Sequence, residues 1–147
     1  LAAKPILYLH NTKDDALPAP ENDKVYLNIK LEEELSRMTA EEQKELGIES
    51  HLHTLAQAAY ALLGLISFFT TGEDETRAWT IPAHSTAKRA GRAIHSDFEE
   101  KFIRAEIIFW HDLVQADSYA KAREKGLVRT EGKEYIVKDG DVIEFKI

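Results

Sequence analysis

The chain has no cysteine, so neither a disulfide framework nor a thiolate metal site is available to it. It also has no apolar run able to span a bilayer. The longest, Leu55 to Phe69 (LAQAAYALLGLISFF), is interrupted by Gln57, Gly64 and Ser67 and is too short. No basic segment followed by an apolar one opens it, so nothing suggests export and a cytoplasmic protein is expected. No G-x-x-x-x-G-K-[ST] occurs, and no other glycine-rich turn leads from a strand into a helix. That loop supplies the backbone N–H groups, the lysine and the hydroxyl that grip a triphosphate and its Mg2+. A serine nucleophile set in G-x-S-x-G is missing as well. The six histidines contain no H-x-x-x-H and no H-E-x-x-H, so surface roles are expected of them and no metal site.

What is present suits one ordinary domain, or a small domain with an appendage: 147 residues, 44% hydrophobic and 31% charged. The net charge of −7 is unevenly spread. Residues 1–63 hold 6 Lys/Arg against 11 Asp/Glu, and residues 64–147 hold 13 against 15. Non-specific binding of duplex nucleic acid by the whole surface is therefore not expected, and any RNA contact has to come from a local basic patch.

The pattern along the chain falls into two styles. KPILYL is a continuous apolar run, read as a strand of a parallel sheet buried on both faces. DALPAPEND then allows no helix, and KVYLNI (Lys24 to Ile29) is a second strand. Leu31 to Met38 is a short acidic helix. Thr39 and Glu42 form a T-x-x-E capping box for the next, which Gly47 closes. Ser50 caps a third, whose Leu52, Leu55, Ala59, Leu62 and Leu63 share one face before Gly64. The many carboxylates here, Glu32, Glu33, Glu34, Glu41, Glu42 and Glu45, read as a solvated face.

From Leu65 the period changes from about 3.6 to 2. LISFFTT and TRAWTI flank GEDE as a hairpin, and Pro82 ends it. Ser85 or Thr86 caps a helix whose Ala87, Ala90, Ala93 and Ile94 make an apolar stripe, with His95 near its end. KFIRAEIIFW is a third strand, and HDLVQADSYAKAREKG is irregular to helical. The tail LVRTEGKEYIVKDGDVIEFKI supplies short strands, with an Asp139-Gly140 turn before the last. Trp79 and Trp110 both close apolar strands and are expected in the core. Hairpin, helix and further strands fit an α+β fold of the β-grasp (ubiquitin-like) kind.

Four stretches carry a resemblance: FFTTG (Phe68 to Gly72), RAWTIP (Arg77 to Pro82), TAKRAGRAIHSDFEEKFIRAE (Thr86 to Glu106) and EGKEYIVKDGDVIEF (Glu131 to Phe145). Together they resemble the C-terminal TGS domain of the YchF family, also called Obg-like ATPases. TGS domains also occur in threonyl-tRNA synthetases and RelA/SpoT enzymes. Upstream, AKPILYLHN resembles the strand that enters the base-recognition motif of the family's G domain. The resemblance implies three segments: a remnant of the nucleotide-binding G domain (1–38), a helical linker (39–63) and a TGS β-grasp domain (64–147). The family's N-x-x-E motif would correspond to Asn11, Thr12, Lys13 and Asp14, with Asp14 offering a shorter carboxylate than the usual Glu. The small residue pair that touches the base would fall at Asn28 and Ile29, which do not match. The implied cofactor, ATP or GTP with Mg2+, belongs to a full-length parent; none is expected in this chain, which the resemblance places after the family's phosphate-binding part. No catalytic residue is assigned, and hydrolysis by this chain alone is not expected.

One surface stands out beside that resemblance. Lys88, Arg89, Arg92 and His95 place three or four cations on one side of a short helix, within reach of consecutive RNA phosphates. Arg77 and Arg104, on neighbouring strands, extend it. Pairing with Glu99, Glu100 and Glu106 is the alternative role for these side chains. The expected partner is the ribosome or ribosomal RNA, with no membrane. Two other functions fit the same sequence: a nucleotide-binding protein that completes its site with another chain, and a β-grasp domain that docks a protein.

Overall fold

In the computed structural model, which describes residues 4–13, 23–72 and 75–147, the chain forms two units, Leu1–Leu63 and Gly64–Ile147. Asp14, most of DALPAPEND and the hairpin residues Glu73 and Asp74 lie outside the described residues.

The first unit carries a parallel pair of strands, β1 (Tyr8–Asn11) and β2 (Lys24–Leu27), in register from Tyr8 opposite Lys24 to Asn11 opposite Leu27. Val25 and Leu27 of β2 are buried, but β1 is exposed along its whole length. Burial of the first strand on both faces is thus not found. A two-stranded sheet gives β1 one neighbour, and the described residues lay nothing over it. β2 stops before Asn28 because that side chain accepts the N–H of Leu31 at 3.1 Å and opens α1 (Ile29–Leu35). This helix therefore starts and ends earlier than Leu31 to Met38. α2 (Ala40–Leu46) has both arms of its capping box, and left-handed Gly47 closes it. α3 (Leu52–Leu62) buries no residue fully, and Leu52 and Leu63 at its ends are exposed.

One carboxylate of α1 departs from the solvated reading. Glu32 is 7% exposed, and it accepts bonds from the Ser50 hydroxyl at 2.6 Å and the His51 N–H at 2.7 Å. Ser50 therefore serves Glu32 as well as the Leu52 N–H, and His51 holds the cap position of α3 without a side-chain bond.

The second unit is a five-stranded mixed sheet in the order β4-β3-β7-β5-β6. β3 (Leu65–Thr71) and β4 (Thr76–Pro82) form the antiparallel hairpin. β7 (Asp141–Lys146) lies parallel to β3 and antiparallel to β5 (Arg104–Phe109), which pairs in turn with β6 (Arg129–Glu131). Alternation with period 2 sends residues to two faces. On one, Phe68, Ile81, Ala105, Ile107 and Ile143 pack against Ala87 and Ala90 of α4 (Ala87–Gly91). On the other, Ile108 and Val142 pack against Ala116 of α6 (Trp110–Ala116) and Ala122 of α7 (Tyr119–Glu124). The turn before β7 is fastened to β3, since Asp139 Oδ1 accepts the Ser67 N–H at 2.8 Å and the Gly140 N–H donates to the Ser67 carbonyl at 2.8 Å.

Three boundaries differ from the sequence pattern. α4 ends at Gly91, His95 caps a separate α5 (Ser96–Glu100), and Ala93 is left exposed in the turn between them. β5 ends at Phe109, and the backbone N–H of Trp110 bonds the Gly140 carbonyl at 3.0 Å as α6 begins. Trp110 consequently stands 46% exposed rather than in the core, while Trp79 is half-buried against it. Among the described residues no helix is long and apolar enough to cross a membrane.

Candidate nucleic-acid interface

α4 is short, and its position comes from both ends. The Thr86 side chain accepts the Arg89 N–H at 3.3 Å, and Thr86 forms a β-bridge with Ile136. The Ala87 N–H donates to the Tyr135 carbonyl at 2.7 Å and the Lys88 N–H to the Lys133 carbonyl at 3.5 Å. Ala87 and Ala90 are fully buried, and Gly91 lies beneath the Phe98 backbone. With those residues turned inward, Lys88, Arg89 and Arg92 are turned to solvent.

The structure sorts the six sequence candidates. Arg92 is 3.2 Å from Glu99, the pairing that was the alternative to RNA contact. The His95 ring nitrogen Nδ1 accepts the Asp97 N–H at 3.2 Å and lies 3.5 Å from the Asp97 carboxylate. Asp97 also receives Lys101 at 2.6 Å, and this bond holds its carboxyl below the usual range while raising the Lys101 ammonium. His95 is thus an N-cap, not the C-terminal end of α4. Lys88 and Arg89 have no ion-pair partner among the described residues.

Arg77 shares the sheet face of Trp79 and Ile81, and its guanidinium lies 4.4 Å from the centre of the Trp79 ring. Arg104 is elsewhere. Its strand is separated from β4 by β3 and β7, and it shares its parity with Ile108, on the face opposite α4. It does not extend the patch. Glu106 on that same far side is bonded by Arg123 at 2.5 Å, which holds its carboxyl below the usual range. One basic residue escaped the sequence reading: Lys133, exposed and adjoining Lys88 through the backbone bond.

The remnant of a base-reading loop can be placed in part. Asn11 Oδ1 accepts the Ile29 N–H at 3.2 Å, and the Thr12 N–H donates to the Leu27 carbonyl at 2.9 Å. Both groups tie the end of β1 to the junction of β2 and α1, and Asp14 lies outside the described residues. The Asn11 side-chain oxygen and the Thr12 N–H are thus engaged with the backbone of residues 27–29. Among the described residues no group of three or more His, Asp or Glu is placed to hold a metal ion.

Comparison with known proteins accords with the motifs. A family model named YchF-GTPase_C, described as a protein of unknown function (DUF933), matches residues 65–147. The chain belongs to the YchF family. Its relatives include the ribosome-binding ATPase YchF of Bacillus subtilis (strain 168), 42% identical over 167 aligned positions that cover 99% of this chain and 46% of that protein. The ribosome-binding ATPase YchF of Haemophilus influenzae is 38% identical, covering 99% of this chain and 45% of its own length. Among solved structures, the YchF GTPase of Schizosaccharomyces pombe superimposes with a TM-score of 0.76 at 36% identity, covering 84% of this chain and 34% of that one. The chain therefore spans about half the length of the curated YchF proteins it matches. The alignment to the Bacillus protein is longer than the 147 residues here, so that YchF carries segments this chain lacks.

Proposed function

We propose that this chain is the docking part of a ribosome-associated YchF-type NTPase and contacts ribosomal RNA through residues 64–147. In this reading those residues are a TGS domain of the β-grasp kind. A β3–β4 hairpin, β7 inserted parallel to β3 and α4 packed across one face support that assignment. Residues 39–63 are the linker and residues 1–38 the G-domain remnant. The observation that carries the RNA reading is that Lys88 and Arg89, exposed and without an ion-pair partner among the described residues, stand on a helix held from behind by fully buried alanines. Relatives named ribosome-binding ATPases supply the partner and, with it, a cytoplasmic setting.

ATP or GTP with Mg2+ is the business of the full-length parent. This chain alone binds no triphosphate, since Asn11, Thr12 and Asp14 are at most one edge of a base site. Two experiments test the reading. Co-sedimentation with ribosomes should weaken steeply as salt rises from roughly 50 to 200 mM, and Lys88→Glu with Arg89→Glu should abolish it. Co-sedimentation that ignores the double charge reversal removes α4 as the contact. Titration with ATP or GTP and Mg2+, followed by tryptophan fluorescence, should give no saturable change. Saturable binding in the micromolar range would overturn the docking-only role.

A further inference from the structure

We infer that Lys88, Arg89 and Lys133 form one grip on the phosphodiester backbone of RNA, and that this grip reads no bases. The inference rests on the docking role proposed above and specifies its chemistry. Its first support is the distribution of ion pairs. In the second unit Arg92, Lys101, Lys121, Arg123, Arg129 and Lys146 all stand against carboxylates. Lys88, Arg89 and Lys133 have no such partner among the described residues and are exposed. Arg77, Arg104, Lys125 and Lys138 share that state, but Lys88, Arg89 and Lys133 are the ones brought together at the start of α4. A cation already neutralised by a carboxylate releases few counterions when it meets a phosphate, whereas a free one contributes fully.

The second support is the backbone hydrogen bonding. The Lys88 N–H to Lys133 carbonyl bond, the Ala87 N–H to Tyr135 carbonyl bond and the Thr86–Ile136 bridge hold the two segments side by side. Lys133 is therefore fixed beside the start of α4. The same bonds occupy the first amides of the helix, so phosphate oxygens must be met by side chains. Two ammonium groups act as point charges toward phosphate oxygens, and the guanidinium fork matches a phosphate bidentately.

The third support is the state of Trp79, the aromatic residue on that sheet face nearest a base-stacking role. It packs against the core, its indole N–H donates to Thr70 Oγ1 at 2.9 Å, and the Arg77 guanidinium covers its ring. Neither a ring face nor a polar edge is left for a base. Glu134, exposed next to Lys133, opposes the grip and sets a sign that can be checked.

The test uses the full chain and fluorescently labelled single-stranded oligo(U) and oligo(A), with anisotropy read across a salt series. Equal affinity for the two within about threefold is expected, since stacking and base edges drop out. Lys88→Gln, Arg89→Gln and Lys133→Gln should each flatten the log–log salt slope by about 0.7, the value for one phosphate of a single strand. Arg92→Gln should leave the slope in place, and Glu134→Gln should tighten binding. Thermal melting of each variant guards against loss of fold. If Lys133→Gln leaves slope and affinity unchanged while Lys88→Gln flattens it, the three-residue grip is wrong but the docking role stands. A tenfold preference for one oligomer would likewise end the backbone-only claim. If the unaltered chain binds neither oligomer nor ribosomes, the docking role itself falls.

Discussion

Gly91 of α4 lies against Phe98 of α5 so closely that a β-carbon on it would stand 2.9 Å from the Phe98 carbonyl oxygen and 3.0 Å from its carbonyl carbon. Those are backbone atoms and cannot swing aside as a side-chain end would. Gly91→Ala gains about 1 kcal/mol of helix propensity, but overpacking costs roughly 1–3 kcal/mol. A net loss of up to about 2 kcal/mol is expected, because the contacted atoms are backbone and cannot give way cheaply. Thermal unfolding followed by circular dichroism should show a fall of several degrees for a unit of this size. An unchanged midpoint would mean that α4 and α5 are not in this contact.

Glu32 offers a test of the other unit. Its carboxylate satisfies two donors, the Ser50 hydroxyl and the His51 N–H, in a site only 7% exposed. Glu32→Ala leaves them without that acceptor, at a cost of about 1–3 kcal/mol. Hydrogen exchange at the His51 amide should accelerate by roughly tenfold or more, a factor of ten for each 1.4 kcal/mol. Glu32→Gln, which keeps one acceptor oxygen, should fall between. Equal exchange in all three proteins would show that the bond does not hold the turn before α3.

What the sequence pattern conveys, and where it stops, follows the reach of the interactions. The β3–β4 hairpin is legible because LISFFTT and TRAWTI alternate, and the Thr39 capping box because its partners are three residues apart. The end of α4 is hidden, since TAKRAGRAIH keeps a helical pattern and only the Phe98 backbone over Gly91 marks the stop. IIFW reads as unbroken strand, yet the Gly140 carbonyl receives the Trp110 N–H where the chain turns into α6. Lys88 and Arg89 are visible as a basic helix face. Lys133 joins them only through bonds between distant segments, and Arg104 is lost because strand order and parity exist only in the folded sheet.

Tyr119 carries a pH dependence whose sign is fixed. Burial first, and the Glu144 carboxylate second, push its phenol up to about 12 from a usual value of 10.0. The folded state thus binds the proton more tightly than the unfolded state. Its contribution to stability is whole below about pH 10 and is lost as pH rises from about 10 to about 12. Melting curves across that interval should show a decline that is smaller in Tyr119→Phe, with the part due to Tyr135, also raised, remaining. The buried hydroxyl has no hydrogen-bond partner among the described residues. Tyr119→Phe should therefore be neutral, or stabilising by about 1 kcal/mol, near neutral pH. Marked destabilisation there would reveal a partner for the hydroxyl.

The two tryptophans provide the last test, and it bears directly on the proposed phosphate grip. Trp110 is 46% exposed, whereas Trp79 is half-buried, bonded to Thr70 and covered by Arg77. In Trp79→Phe the remaining emission should be red-shifted and readily quenched by acrylamide. In Trp110→Phe it should be blue-shifted and poorly quenched. Adding Arg77→Ala to Trp110→Phe uncovers the ring, so quenching should rise part of the way toward that of Trp110. The lost cation–π contact should cost about 0.5–1 kcal/mol. If Trp79 instead proves the more accessible indole, its ring is open to a base, and a grip that reads only phosphates is no longer required by the surface.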